Sequence, residues 1–217
     1  MLALAAVPSA APGQGQKPPK NDAPGLTLES KPTTVVFGEG ATLSGRLKGT
    51  ATDRDVLVRL EADDTFPYGD AYVATGLTTR TSPSGDYTFA VKPSRNTQYR
   101  TLSESNPPLT SAGRLVLVAP RVSLGLSDST PRRGQRVRFF GSVRPAHDGR
   151  TVQIQRRTAT GSFVTIARPR LRDAGATRSR YARRIRIRRD GVYRVRIAAH
   201  GDHAESFSRE RTVDAHG

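Results

Sequence analysis

Apolar and polar residues alternate along much of the chain, most clearly in its second half. In "VRFFGSV" (137–143) and "VQIQ" (152–155) the alternation has the two-residue period of a strand with one buried face. Turn-forming residues separate such runs, at 131–134, 147–149, 173–175 and 190–191. No run spaces its apolar residues as a helix would, so the pattern predicts an all-β protein.

Seven short strands can be drawn in the second half. They lie near residues 122–126, 136–143, 151–157, 163–167, 180–188, 192–198 and 207–213. Seven strands within about 95 residues are typical of a sandwich of two antiparallel sheets. In "YARRIRIRRDGVYRVRI" (181–197) the strand period points Ile185 and Ile187 into the core and the arginines between them outward.

The two halves of the chain match each other. "GEGATLSGRL" (38–47) lies over "GQRVRFFGSV" (134–143) at an offset of 96 residues. The same offset pairs Phe89 and Val91 with Ile185 and Ile187, and Tyr99 meets Tyr193 after a two-residue loop difference. A period of one small domain predicts two tandem copies of one fold, over residues 26–119 and 120–215. Because almost no linker separates them, we expect a stiff pair.

A local motif sharpens the fold class. "GVYRV" (191–195) resembles the tyrosine corner of immunoglobulin-type sandwiches, with Tyr193, and Tyr99 in the first copy, as the corner residue. The run "RRGQRVRFFGSVRPAHDGRTVQIQRR", followed by "SFVTIA" and "GVYRVRI", resembles the tandem bacterial Ig-like domains of secreted actinobacterial proteins. The resemblance implies two tandem antiparallel Ig-like β-sandwich domains and an extracellular setting. It brings no catalytic residue.

The first 25 residues predict a leader rather than part of a domain. "MLALAAVPSAAPGQGQKPPKND" joins a short apolar run to small residues and then to Pro, Gly and Gln. It resembles the remnant of a secretory signal peptide followed by a disordered segment, and a secreted or cell-surface protein follows. The alternative is an apolar N-terminus without targeting meaning. No stretch approaches the ~18 apolar residues of a membrane span.

Composition and charge narrow the chemistry. The chain has no cysteine, which excludes disulfides, thiolate metal sites and cysteine nucleophiles. Up to Ala119 there are 12 Lys and Arg against 11 Asp and Glu, and from Pro120 onward 23 against 8. All 23 of those cations are arginine, so the second copy carries nearly all of the net charge of +16.

Five of these arginines form a candidate anion-binding face. In an immunoglobulin-type sheet the strand order A-B-E-D makes strands B and E neighbours. The outward positions of these two strands in the second copy are Arg136, Arg138, Arg184, Arg186 and Arg188. Guanidinium groups favour phosphate, sulfate and carboxylate. The face therefore predicts binding of a polyanion, such as an anionic cell-wall polymer or acidic glycan. The alternative is a solvated surface that reflects a composition bias.

Two loops carry further candidate residues. In "EADDTFPYGDAY" (61–72) carboxylates lie beside aromatic rings, which suits a glycan or a calcium ion. The residues concerned are Asp63, Asp64, Asp70, Phe66, Tyr68 and Tyr72. In "HGDH", His200 and His203 could bind a metal. We interpret that segment as a solvated loop, and we expect no metal and no cofactor.

No enzyme or nucleic-acid signature is found in the sequence. Nucleophile-elbow, zinc-protease and phosphate-loop motifs are missing, and so is any helix-turn-helix, zinc-finger or RNA-recognition pattern. Non-specific affinity for nucleic acid follows from charge alone. We therefore expect a non-enzymatic extracellular binding or spacer module. The alternatives are a carbohydrate-binding accessory module of a secreted enzyme system and a purely structural surface protein.

Overall fold

The computed structural model describes residues 23–217 of the chain. Their regular structure consists of twenty β-strands, in agreement with the predicted all-β class. Of the expected signal-peptide remnant and leader (1–25), residues 1–22 lie outside the described residues, and Gly25 already begins the first strand. Within the described range there is no helix with the length and apolar character that a bilayer crossing requires.

The first ten strands form one sandwich. They are β1 (Gly25–Leu26), β2 (Glu29–Lys31), β3 (Thr34–Val36), β4 (Ala41–Lys48), β5 (Leu57–Asp63), β6 (Val73–Arg80), β7 (Asp86–Val91), β8 (Thr97–Ser103), β9 (Leu109–Thr110) and β10 (Arg114–Ala119). In one sheet β4 pairs with β1, β2 and β7. The other sheet has the order β3-β10-β8-β5-β6, with β9 on β8. β3 runs parallel to β10, and the other paired strands are antiparallel.

The remaining ten strands form a second sandwich. They are β11 (Arg121–Val122), β12 (Gly125–Leu126), β13 (Arg136–Arg144), β14 (Gln153–Arg157), β15 (Phe163–Ala167), β16 (Arg172–Asp173), β17 (Ser179–Arg186), β18 (Gly191–Ile197), β19 (Ser206–Phe207) and β20 (Arg211–Val213). One sheet has the order β11-β13-β17-β16, with β12 on β13, which is the A-B-E-D order of an immunoglobulin-type sheet. The other has the order β15-β14-β18-β19, with β20 on β18.

Each sandwich has its own core between its two sheets. Leu43, Leu60 and neighbouring side chains fill the first, and Phe139, Ile154 and theirs fill the second. The inward orientation predicted for Ile185 and Ile187 is confirmed, since Ile187 is buried and Ile185 packs against the same core. All seven predicted strands of the second half are present. The first and last are each split in two, and the short β16 was not predicted.

A glycine–tyrosine pair recurs at the same place in both sandwiches. Tyr87 on β7 opposes Gly45 on β4, and Tyr181 on β17 opposes Gly141 on β13. The Tyr181 hydroxyl donates to the Ser123 carbonyl at 2.6 Å, and the Tyr87 hydroxyl makes the equivalent bond to Thr27. A Cβ on either glycine would lie 2.0 Å from that same carbonyl oxygen. Glycine therefore lets the first strand, the central strand and the tyrosine meet.

This pair corrects the tyrosine-corner prediction. Tyr99 and Tyr193 are buried in β8 and β18, but within residues 23–217 neither hydroxyl bonds to the backbone. Tyr87 and Tyr181 make that bond instead, because each ring crosses a residue without a side chain. The local motif located a core tyrosine correctly, but the hydroxyl-to-backbone bond that defines a tyrosine corner is made by the other tyrosine.

The internal alignment also needs one correction. With Gly45 on Gly141 and Tyr87 on Tyr181, the offset is 96 in the central strand but 94 in β17. The two-residue loop difference thus falls before β17 and not after it. Val91 therefore corresponds to Ile185, while the counterpart of Phe89 is the exposed Arg183.

Candidate functional site

The arginine face lies on β13 and β17, and its last member, Arg188, follows the end of β17. We use this name for Arg136, Arg138, Arg184, Arg186 and Arg188, all of which are exposed. In the pairing of β13 with β17, Arg136 lies directly opposite Arg186, and Arg138 lies directly opposite Arg184. Directly opposed residues of antiparallel strands project from the same side, with Cβ atoms about 4.5–5.5 Å apart. The guanidinium groups therefore share one surface.

The same sheet opposes arginine to arginine at two further places that sequence reasoning missed. Arg172 on β16 lies opposite Arg180 on β17, and Arg121 on β11 lies opposite Arg144 on β13. Like charges at directly opposed positions destabilise a sheet by roughly 0.2–1 kcal/mol per pair. One five-stranded sheet thus carries four such pairs.

Carboxylates do not neutralise the arginine face. Within residues 23–217, none of its five members has an Asp or Glu oxygen within 4.0 Å. The Arg138 guanidinium lies 5.3 Å from the centre of the Phe140 ring, a neutral contact. The positive charge of this surface is therefore left to solvent and to external anions.

An open cleft of about 570 Å³ adjoins the face. Its arginines are Arg138, Arg168, Arg170, Arg172, Arg180 and Arg183, and no acidic residue lines it. Arg168, Arg170 and Arg172 alternate in the sequence "RPRLR", so a signal for them was present. We call this the arginine cleft. Because it shares Arg138 with the arginine face, the two form one continuous cationic surface.

The other sheet of the same sandwich treats arginine differently. Arg194 lies opposite Gln155, and Arg196 opposite Gln153 and Phe207. The Arg194 guanidinium stacks on the rings of Phe163 and Phe207 and donates to Gln155, while Arg196 pairs with Glu205. Arginines here face neutral residues or bond to acidic ones. The two sheets of this sandwich thus differ in the residues that their arginines face.

The corresponding sheet of the first sandwich is nearly neutral, because its strands carry charges of both signs. Thr42 lies opposite Ala90, at the positions that Arg138 and Arg184 occupy in the second copy. Where this sheet does carry an arginine, Arg46, it lies opposite Asp86 and bonds to it through two nitrogens. The Arg46 side chain, and after it the Ser84 hydroxyl, lowers the pKa of Asp86 to about 2.

The acidic candidates in the first sandwich hold their own loop together. Asp63 is buried and accepts backbone N–H groups of Thr65, Gly69 and Ala71 at 2.6–3.2 Å. Burial alone would raise the pKa of Asp63, but the backbone donors together outweigh it and hold the pKa below its usual value. Asp64 lies 3.9 Å from Arg95. A loop organised around Asp63 accounts for these contacts without a calcium ion.

The aromatic members of that loop have separate partners. The Arg100 guanidinium lies 4.0 Å above the Tyr72 ring. Phe66 packs edge-on against Tyr68, and the Tyr68 hydroxyl donates to the Gly201 carbonyl of the second sandwich. Because its hydroxyl is bonded to the second sandwich, Tyr68 is not free to stack on a sugar, as the glycan interpretation requires. Phe66 remains 67% exposed.

The histidine loop is not solvated, which corrects our interpretation of "HGDH". The Asn96 amide donates to the Asp202 carbonyl at 2.8 Å, and the Ala204 amide donates to the Val118 carbonyl at 2.9 Å. The loop is thus docked on the first sandwich. It also brings His200 and His203 beside a third histidine, His147, which sequence reasoning missed. The sequence could have indicated this contact. His147 lies in the B–C loop and the other two histidines in the F–G loop, and these two loops lie at the same end of an Ig-like sandwich.

Comparison with known proteins gives fold-level likenesses only. No family model matches the chain, and neither does any curated protein. Among solved structures, the chain is similar to a tetra-tandem repeat in the extending region of a large adhesion protein, with 15% identity, a TM-score of 0.42, and 88% of this chain and 50% of that chain covered. The chain is also similar to bovine butyrophilin, with 14% identity, a TM-score of 0.40, and 84% of this chain and 97% of that chain covered. Red sea bream transglutaminase shows 11% identity and a TM-score of 0.45, with 88% of this chain and 31% of that chain covered.

The chain thus spans half the length of the adhesion-protein chain and less than a third of the transglutaminase chain. Likenesses this distant carry no functional conclusion. The class of protein is defined by the strand order, which is that of two Ig-like β-sandwiches in tandem.

Proposed function

We propose that the chain is a non-enzymatic extracellular binding module whose second sandwich holds polyanions on the arginine face and the adjoining arginine cleft. The ligand class is a polymer bearing phosphate, sulfate or carboxylate groups, such as an anionic cell-wall polymer or an acidic glycan. A repeating anionic polymer fits a repeating row of guanidinium groups, each of which binds two oxygens at once.

One observation carries the proposal. The sheet of β11, β12, β13, β16 and β17 sets arginine opposite arginine four times, while the second sheet of the same sandwich never does so in the pairings of residues 153–213. A sheet that retains this repulsion gains from an anion that removes it. The anion lowers the free energy of the charged face, and that gain contributes to binding.

The test replaces the four arginines that face each other, in the variant R136Q/R138Q/R184Q/R186Q. The probe is poly(glycerol phosphate) immobilised on a resin, with elution by a NaCl gradient. We expect the variant to elute at much lower salt than the parent chain. Folding is checked by circular dichroism, because loss of the sandwich would also lower retention.

A matched control removes the same charge from the other sheet. The variant R157Q/R196Q/R209Q/R211Q changes four arginines in or beside β14, β18 and β20. It should keep most of the retention of the parent chain. Equal loss in both variants would show that only net charge matters, and the proposed face would have to be abandoned.

A further inference from the structure

We propose that His147, His200 and His203 form a zinc site at the junction of the two sandwiches, and that zinc binding rigidifies this junction. We call the three residues the histidine cluster. They are three of the four histidines in the chain. One ring nitrogen from each lies within 4.8 Å of those of the other two. This inference is independent of the arginine face.

The backbone places two of the ligands side by side. His200 and His203 form an antiparallel bridge, with the His200 amide donating to the His203 carbonyl at 2.9 Å and the reverse bond at 3.1 Å. Residues opposed in this way project from the same side of the ribbon. His147 approaches from the loop between β13 and β14, and the three ring centres lie 4.8–5.3 Å apart.

The hydrogen bonds of two rings leave the opposite nitrogen of each ring free. His147 Nδ1 lies 2.7 Å from the Pro145 carbonyl, and His203 Nε2 lies 3.1 Å from the Ser94 carbonyl. A carbonyl only accepts, so each of these nitrogens carries the proton and donates. The opposite nitrogen of each ring then keeps its lone pair. A metal-binding histidine typically has such an orienting backbone acceptor behind it.

Two buried ring nitrogens of the cluster have no hydrogen-bond partner within the described part of the protein. The side chains of His200 and His203 are only 8% and 6% exposed, and His147 is 7% exposed. His200 Nε2 and His203 Nδ1 are buried without a hydrogen bond from any residue of 23–217, while His200 Nδ1 contacts the Asp202 carboxylate. Buried polar atoms without partners are costly, at about 1–3 kcal/mol each. A cation that accepts lone pairs from these rings reduces this cost.

The charges around the cluster suit a metal with imidazole ligands. The Asp202 carboxylate lies against His200 Nδ1 and 3.6 Å from His203 Nδ1, and it supplies negative charge at the exposed edge of the cluster.

Zinc fits the ligand set. Three histidines with an open fourth position are a known zinc arrangement, with Zn–N bonds of about 2.0–2.1 Å. Tetrahedral geometry then holds the nitrogens about 3.4 Å apart, so the present limit of 4.8 Å closes by about 1.4 Å or less. Ring rotation and a small loop movement cover that distance.

The position of the cluster gives the site a structural role. His203 joins the two sandwiches through Ser94, and the neighbouring Asp202 does so through Asn96. Zinc bound to His203 and His147 would tie the docked loop to the body of the second sandwich. The first sandwich, which holds that loop, would then be fixed relative to the second.

The test is zinc titration of the whole chain, free of any affinity tag, by isothermal calorimetry. We expect one zinc per chain in the parent. Loss of an orienting partner alone weakens metal binding about 10–100-fold, so H147Q, which removes a ligand, should weaken zinc by at least about 100-fold. The matched control is H216Q, since His216 is exposed and outside the cluster; it should bind as the parent does.

A second measurement guards against misfolding of H147Q. Co²⁺ bound to the parent chain should show the intense visible absorption of a tetrahedral site, and Zn²⁺ should displace it. Zinc should also raise the melting temperature of the parent chain and of H216Q, but not that of H147Q. A parent chain that binds no zinc, or an H147Q variant that binds it unchanged, would overturn the proposal.

Discussion

The central sheets of the two sandwiches share the glycine–tyrosine packing, which we call the shared frame, but they differ in the charge of their outer faces. Both place a glycine beneath a tyrosine whose hydroxyl bonds to the first strand, through Tyr87 in one and Tyr181 in the other. On their outer sides, Thr42 opposes Ala90 in the first sandwich, and Arg138 opposes Arg184 in the second. The shared positions are those that packing requires. The positions that differ are free of packing, and charge has accumulated there in one copy only.

The treatment of charge differs as well as its amount. In the first sandwich Asp86 lies opposite Arg46 and pairs with it. The residue that corresponds to Asp86 in the second sandwich is Arg180. In the neighbouring sheet of the second sandwich, Arg196 likewise pairs with an acidic residue, Glu205. In the arginine sheet of the second sandwich, Arg121 pairs with Glu39 at 3.5 Å, but no member of the arginine face has a carboxylate of residues 23–217 within 4.0 Å.

The shared frame predicts the largest effect. Replacing Gly141 by alanine places a Cβ 2.0 Å from the Ser123 carbonyl and 2.6 Å from the Tyr181 hydroxyl. Because the obstacle includes backbone, we expect destabilisation of about 3 kcal/mol or more. G45A should behave alike. Urea denaturation followed by circular dichroism measures both. A G141A variant as stable as the parent chain would show that the packing of Tyr181 against Ser123 does not require glycine.

Exchanging the outer residues tests the difference directly. R138T/R184A gives the second sandwich the residues of the first and removes one like-charge pair. We expect this variant to gain roughly 0.2–1 kcal/mol of stability at low salt while losing polyanion retention. The reverse exchange, T42R/A90R, should lose a similar amount of stability. Stability that falls in R138T/R184A would mean that the arginines hold the sheet together.

Added salt should affect the stability of the two sandwiches differently, by a smaller amount. Like charges on an exposed surface are screened as ionic strength rises, with a Debye length of about 10 Å at 0.1 M. Added NaCl should therefore slow amide hydrogen exchange in β13 and β17 of the parent chain. In β4 and β7 it should have little effect or the opposite effect, since it screens the Arg46–Asp86 pair.

Acid gives the smallest and most local difference. The pKa of Asp86 is depressed, so its contribution to stability is complete above the usual value of 3.8 and is lost as pH falls towards about 2. The parent chain should thus lose more stability than D86N between about pH 4 and pH 2. Thermal melts of both chains across that interval measure this. Parallel curves would show that the ion pair does not contribute.

Sequence reasoning reached the frame because alternation is a local property. The inward positions of Ile187 and Val195 and the outward arginines of β13 and β17 follow from a two-residue period and the A-B-E-D order. The outer bounds of the seven strands predicted in the second half were correct within two residues for the same reason.

What it missed depends on contacts between distant segments. β16 has only two residues, too few for a period, so the Arg172–Arg180 pair could not be read from its pattern. His147 meets His200 through loop packing, which a solvated-loop interpretation of "HGDH" ignores. The hydroxyl bond of Tyr181 depends on Gly141 in another strand, and nothing in "GVYRV" records it.

The dependence of affinity on salt tests the central claim most directly. A single-stranded oligonucleotide serves as a polyanion of known charge. The slope of log K against log salt is negative, and its magnitude decreases by about 0.7 for each phosphate that the protein no longer neutralises. R136Q/R138Q/R184Q/R186Q should reduce the slope by about 3, and the control R157Q/R196Q/R209Q/R211Q should leave it nearly unchanged. Equal slopes for the two variants would contradict an anion-binding arginine face.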